Sequence, residues 1–262
     1  MSWNNDRLKT VTTPGARAEL RQGAGWRLSI PAGPAGRYRL AQIDDYSELR
    51  RRSFPWNAPY QLSLRARASA AVIPGTWGFG LWNDPFGMGI LSKVGGARLP
   101  VLPNAAWFFF ASPANHLSLR DDLPARGALA ATFRSRNWPS ALLALGAPGL
   151  ALLAIPATAR LLRRLIRRFV GQDGTALQLD PTEWHEYCLS WRQAAVDFQV
   201  DGQTVLQTEV VPVGPLGLVI WIDNQYAAFP ADGRLRYGML SSQEEVWIEI
   251  EECPNQMGTR GA

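Results

Sequence analysis

EWHEYCLSWRQAAVDFQVDG, Glu183 to Gly202, decides the fold. Its second half sets Val196, Phe198 and Val200 against Asp197, Gln199 and Asp201, the period of two expected of a strand with one buried face. Asp201-Gly202 then supplies a two-residue turn that needs positive φ, the usual closure of a β-hairpin. In the first half His185 alternates with Tyr187, Leu189 and Trp191, a second strand with its own packed face.

Short alternating runs continue outward from this hairpin. Trp26, Leu28 and Ile30 form one, and Tyr38, Leu40 and Gln42 another. In a third, Tyr60, Leu62, Leu64 and Ala66 point inward while Gln61, Ser63, Arg65 and Arg67 face water. GTWGFGLWNDPF, from Gly75 to Phe86, is rich in glycine and aromatic residues. AAWFFFAS, from Ala105 to Ser112, is continuously apolar, as a strand buried on both faces would be. Leu216 to Ile222 and Val246 to Glu252 add two more strands, the last with Val246, Ile248 and Ile250 on one side and Trp247, Glu249 and Glu251 on the other.

Composition agrees with an all-β chain. The sequence has 262 residues, 24 Gly, 19 Pro and 11 Trp, more tryptophan than a core of this size uses, so some should line a surface. One domain, 1–262, is the expectation. The two cysteines, Cys188 and Cys253, show no metal-ligand spacing and read as small buried hydrophobes. Neither histidine, His116 or His185, has a second ligand nearby, so no metal is expected. No Walker loop, GxGxxG after a strand or GxSxG elbow occurs, and no cofactor is expected. MSWNNDRLKTVTTPG at the N-terminus lacks the apolar core of a signal peptide, which favours the cytoplasm.

The WHxYxLxW…DFxVDGQ pattern of the hairpin resembles the concanavalin A-like lectin and glucanase jelly rolls, especially the family-sixteen glycoside hydrolases and laminarinases. The likeness covers roughly residues 20–112 and 180–252 and implies a two-sheet antiparallel jelly-roll sandwich. GTWGFGLW is similar to the family's tryptophan-bearing strand, which floors a sugar cleft, although Trp77 and Trp82 should face opposite sides. Family-sixteen enzymes carry an ExDxxE strand, whose carboxyls perform the retaining mechanism. This sequence has no such motif, and the segment where the likeness puts it, NAAWFFFASPANH, contains no acid at all.

The sequence therefore points to a binding protein more than to a family glycosidase. A concave, Trp-rich face carrying Trp82, Asn83, Asp84, Trp107, His116, Trp221, Asp223, Asn224 and Tyr226 would take a carbohydrate or similarly shaped ligand. Indole rings suit the apolar faces of sugars, and planar amides and carboxylates suit their hydroxyls. A divergent hydrolase would have to use Asp84 and Asp223 as its acid pair. Ordinary turn chemistry is the competing reading of Asn83-Asp84-Pro85 and of Asp223-Asn224.

Residues 113–180 differ in character, because strand periodicity disappears there, and they read as a helical, apolar and Arg-rich insertion. SALLALGAPGLALLAIPATA, 140–159, is uncharged, and RLLRRLIRRFV, 160–170, sets Leu161, Leu162, Leu165, Ile166 and Phe169 against Arg160, Arg163, Arg164, Arg167 and Arg168. The net charge of the chain is +5, which these five arginines match, so the basicity is local and no nucleic-acid surface is expected. A span is not expected, because strands on both sides must join the same sheets. The alternatives are a helix packed on the sandwich, a dimer interface, and a membrane-surface or hydrophobic-ligand protein that uses 140–170 as anchor or lid, with those arginines on an anionic membrane.

Overall fold

A computed structural model of the chain describes residues 7–21, 25–85, 98–136 and 155–253. Two antiparallel sheets face each other. The first runs β1 (Lys9–Thr12), β4 (Leu40–Asp44), β13 (Gly217–Asp223), β6 (Thr76–Trp82), β7 (Ala105–Ala111), β8 (Gly127–Ser135) and β9 (Val170–Leu177) from edge to edge. The second runs β12 (Gln203–Thr208), β11 (Val196–Val200), β10 (His185–Trp191), β5 (Tyr60–Ala68), β16 (Val246–Glu252), β3 (Gly25–Ile30) and β2 (Arg17–Arg21). A short ribbon, β14 (Gln225–Ala228) with β15 (Arg236–Met239), and one helix, α1 (Pro156–Phe169), stand outside the sheets.

The deciding hairpin forms as its pattern requires. Val196, Phe198 and Val200 are buried while Asp197 and Gln199 are half-buried. Asp201 and Gly202 take φ of 50° and 76°, so the chain turns in two residues from β11 into β12. In β10 the side chains of Tyr187, Leu189 and Trp191 enter the core. His185 ends that row, held between Asp201 Oδ2 at 2.7 Å and the Asp180 carbonyl at 3.0 Å, a structural role.

The main core lies between the sheets. Leu28, Ile30, Leu62, Leu64, Leu189 and Ile248 of the second sheet meet Phe79, Leu81, Phe108 and Ile220 of the first. Trp77 stacks on Phe110 with ring centroids 3.6 Å apart, on the core side of β6 and β7. Trp82 falls on the other side, so the pair divides between the faces as the spacing of five implies.

Three expectations need correction. Residues 113–180 are not purely helical: β8 and β9 lie in them and complete one edge of the first sheet. Their sequences, GALAATFRS and VGQDGTAL, hide the period of two, because small residues occupy both faces of β8 and β9 is largely half-exposed. In β4 the expected parity is reversed: Ala41 and Ile43 enter the main core, whereas Leu40 and Gln42 point the other way. That strand is buried on both sides, so hydrophobicity alone could not assign its faces. Cys188 and Cys253 are half-buried free thiols rather than core residues, and Gln61 Nε2 lies 3.1 Å from Cys188 Sγ. Residues 140–154 of the uncharged run lie outside the described residues; within those, no helix is long and apolar enough to cross a membrane.

Candidate functional site

The first sheet's outer face, turned away from the main core, gathers most of the residues singled out above. β6 shows how. Its inward side is Trp77, Phe79 and Leu81, and its outward side is Gly78, Gly80 and Trp82. The two glycines make room for neighbouring rings. A Cβ on Gly78 would collide with the Phe108 carbonyl and come within 2.9 Å of the Trp221 indole. That indole therefore lies flat across the strand, anchored by its N–H to Thr76 Oγ1 at 3.0 Å.

Around Trp221 the face becomes an aromatic cluster. Trp82 is parallel to it, with centroids 6.4 Å apart and planes within 4°. Trp107 lies 5.8 Å and Phe109 6.0 Å from Trp221, and Phe133 lies 5.8 Å from Trp107. The outward row of β7 is Ala105, Trp107, Phe109 and Ala111. Trp82 and Trp221 are only 7% and 9% exposed, whereas Trp107 is half-buried. Tyr46, Phe54, Leu102, Leu123 and Ile166 of α1 pack against the cluster, making it a second core. The Trp82 N–H points toward the Tyr46 hydroxyl but makes no well-formed hydrogen bond.

The two candidate acids sit at opposite ends of this face. Asp84, in the left-handed region at φ 48°, is fully buried and paired with Arg98 Nη1 at 2.8 Å. Arg98 also donates to the carbonyls of Tyr46, Ser47 and Leu49, and Arg51 donates to those of Asn83, Asp84 and Leu99. Asn83 bridges Leu102 and Asn104. These residues close the β6 end and hold the loop there together.

At the far end Asp223 faces Thr76 across β6. Its Oδ1 accepts from Thr76 Oγ1 at 2.8 Å and from the backbone N–H groups of Thr76 and Gln225 at 3.3 Å, and Oδ2 accepts from Tyr38 Oη at 3.4 Å. Burial outweighs these bonds and pushes the carboxyl up to about 7. Trp82, two residues short of Asp84, pairs with Gly217, so the acids are separated by roughly 20 Å of strand at ~3.3 Å per residue. Glycosidase carboxyl pairs need about 5–9.5 Å, which excludes an Asp84/Asp223 pair. Asp44, on the same face, is four register positions from Asp223, about 13 Å, and is held by Ser47 and Gln42.

The remaining candidates divide. Asn224 is fully buried and bonds Arg39 N–H and the carbonyls of Arg37 and Leu240, tying the β13 end to two loops. His116 bridges to β14 through its backbone. Burial, with Arg163 and Arg126 nearby, lowers its pKa, and its Nε2 is buried without a partner. Tyr226 is half-buried in the β14–β15 ribbon against Gly238. None of the three joins the aromatic cluster.

The arginines of α1 are mostly fasteners, contrary to the expected anion-facing row. Arg163, 3% exposed, donates to the carbonyls of Ser118, Leu119 and Phe229 and pairs with Asp121 at 2.6 Å. Arg167 also pairs with Asp121, and Arg160 donates to the Asp232 carbonyl. Arg164 and Arg168 alone stay exposed without such ties among the described residues. The helix turns Ala159 and Arg163 inward because the loops beneath it offer bare carbonyls.

Sequence reading missed Gln42, Asp44, Tyr46, Thr76 and Arg98. Gln42 pairs directly with Trp221 across β4 and β13, and its Nε2 donates to Asp44 Oδ2 at 2.7 Å. The one available signal was the polar row Gln42, Asp44, Tyr46, with the parity opposite to Ala41 and Ile43. Among the described residues no group of three or more His, Cys, Asp or Glu could hold a metal ion.

No protein-family model matches the sequence, and no curated protein does. Solved structures do match in fold. A glycoside hydrolase family 16 endo-glucanase from Bacteroides ovatus is 7% identical over 96% of this chain and 97% of that one, with a TM-score of 0.50. The Bacillus licheniformis beta-glucanase is 8% identical over 97% and 95%, with a TM-score of 0.48. The two-sheet antiparallel jelly roll is thus that of the concanavalin A-like glucanases, shared at the level of fold.

Proposed function

We propose that the outer face of the first sheet binds a carbohydrate without the retaining glycosidase chemistry found on this fold. The observation that carries the reading is the outward row of β7, Ala105, Trp107, Phe109 and Ala111. That row holds aromatic rings and methyl groups and none of the carboxyls that the retaining mechanism uses, and rings are what a sugar's apolar face stacks on.

Trp107 is the platform in this reading, because it is the cluster's tryptophan that keeps exposed surface. Trp82 and Trp221 support it from the side. Gln42 and Asp44 of β4 brace the face from within, both buried and bonded to each other, with Asp44 also held by Ser47.

Electrophoretic retardation in gels containing soluble β-glucans, galactans or other polysaccharides tests the proposal. Retardation by at least one of them, lost in Trp107→Ala with the fold intact, is the expected result. Unchanged mobility across the whole panel would refute it, and release of reducing sugar by the wild-type protein would refute the non-hydrolytic part alone.

A further inference from the structure

Helix α1 buries the wrong side of itself for a simple amphipathic helix. Leu162 and Ile166 are half-buried and Ala159 and Arg163 are inside, yet Leu161 and Leu165 remain 51% and 40% exposed. Phe169 continues that column at 41%. Positions 161, 165 and 169 lie above one another on the helix surface, and Arg164 and Arg168 form the adjacent column. Both arginines are exposed, and no acidic residue occurs in the helix.

A neighbouring element extends the surface. The loop after the ribbon's first strand abuts the first turn of α1, since Gly233 sits against Pro156 and Arg160 and the Asp232 carbonyl accepts from Arg160. Beyond that contact Leu235 and Tyr237 are 37% and 73% exposed, interleaved with exposed Arg234 and Arg236. Ile155, at the start of the helix, is also half exposed.

We infer that this surface docks on an anionic lipid bilayer, with Leu161 and Leu165 in the interface and Arg164 and Arg168 on lipid phosphates. Charge selects this occupant over others. A second copy packing face to face would set arginine columns against each other with no acid on the helix to answer them. A polyanion such as nucleic acid would leave the leucines unused. An apolar edge beside a cationic one is the arrangement that interfacial helices use, in which apolar burial and attraction to acidic headgroups add. The site is independent of the aromatic face and stands whether or not that face binds sugar.

Flotation of the full chain with phosphatidylcholine vesicles, with and without phosphatidylserine, is the test. Binding should require phosphatidylserine, weaken with salt, and fall about fivefold for each arginine removed in Arg164→Gln and Arg168→Gln. Leu161→Ser/Leu165→Ser should abolish it, while both variants keep the wild-type circular dichroism. No flotation of the wild-type protein with phosphatidylserine vesicles would overturn the inference. So would equal flotation of wild type and both variants, or a solution dimer that the serine variant dissociates.

Discussion

The two outer faces of the sandwich are built in opposite ways. On the second sheet, Arg27 and Arg67 converge on Glu249 at 3.0 and 2.8 Å, with Arg21 at 3.6 Å. Arg27 lies 4.1 Å over Trp247, and Arg67 sits between Trp184 and Trp247 at 4.9 and 5.6 Å. That face is a ladder of charges and half-buried rings against water. On the first sheet, the corresponding face is Trp82, Trp107, Phe109, Phe133 and Trp221, overlaid by loops and by Ile166 of the helix. One sheet thus has a core on one side and the other has a core on both. The comparison teaches that tryptophan abundance has two meanings here: cation–π partners on a wet face, and packing mass on a covered one.

The sharpest way to break this contrast is to remove a buried charge from the covered side. Asp84→Ala leaves Arg98 buried against Tyr46 and Phe54 without its carboxylate, and should cost about 3–5 kcal/mol in urea unfolding. A loss below ~1 kcal/mol would mean that the β6 end is open to water. Trp221→Ala tests whether the aromatic cluster is a core, and should also cost about 3–5 kcal/mol, with Trp107→Ala costing roughly half as much. Equal small losses at both positions would turn the whole face into an exposed platform.

The pH dependence probes the other end. Asp223 is held up at about 7 in the folded chain against an ordinary 3.8, so between those values the folded state keeps a proton that the unfolded state has released. Stability from this group is present at low pH, is lost as pH rises from about 4 to about 7, and then levels off, by on the order of 4 kcal/mol in total. Asp223→Asn should flatten that stretch of the thermal-unfolding profile. Asp45, raised to about 6 by burial, leaves a residual slope of the same sign below pH 6. The smallest effect belongs to the wet face: Arg65→Ala, which removes an exposed partner of Glu251, should change stability by no more than ~0.5 kcal/mol.

Legibility follows the same division. β5, β11 and β16 alternate cleanly because one side meets water, and their faces were readable residue by residue. β4, β6 and β13 are buried throughout and β7 at every position but Trp107, so a run such as AAWFFFA announces a central strand without saying which rings point where. β8 and β9 were lost in the 113–180 segment because alanine and glycine carry too little contrast to show a period. At the candidate site, the sequence named Trp82, Trp107 and Trp221, which the fold brings together, and the pair Asp84 and Asp223, which it keeps apart. No local pattern says that positions 84 and 223 fall at opposite ends of paired strands.

The sequence by itself determined the hairpin, its Asp201-Gly202 turn, the wet faces of the second sheet and the absence of acids along 104–116, because each depends on neighbours one to four residues away. Only the tertiary structure decided that Asp84 belongs to Arg98, that Asp223 belongs to Thr76 and Tyr38, and that Arg163 points inward while Leu161 and Leu165 do not. Those outcomes depend on which buried carbonyls and charges lie opposite. In a sandwich whose partners are tens to nearly two hundred residues apart, that information exists only once the strands have paired.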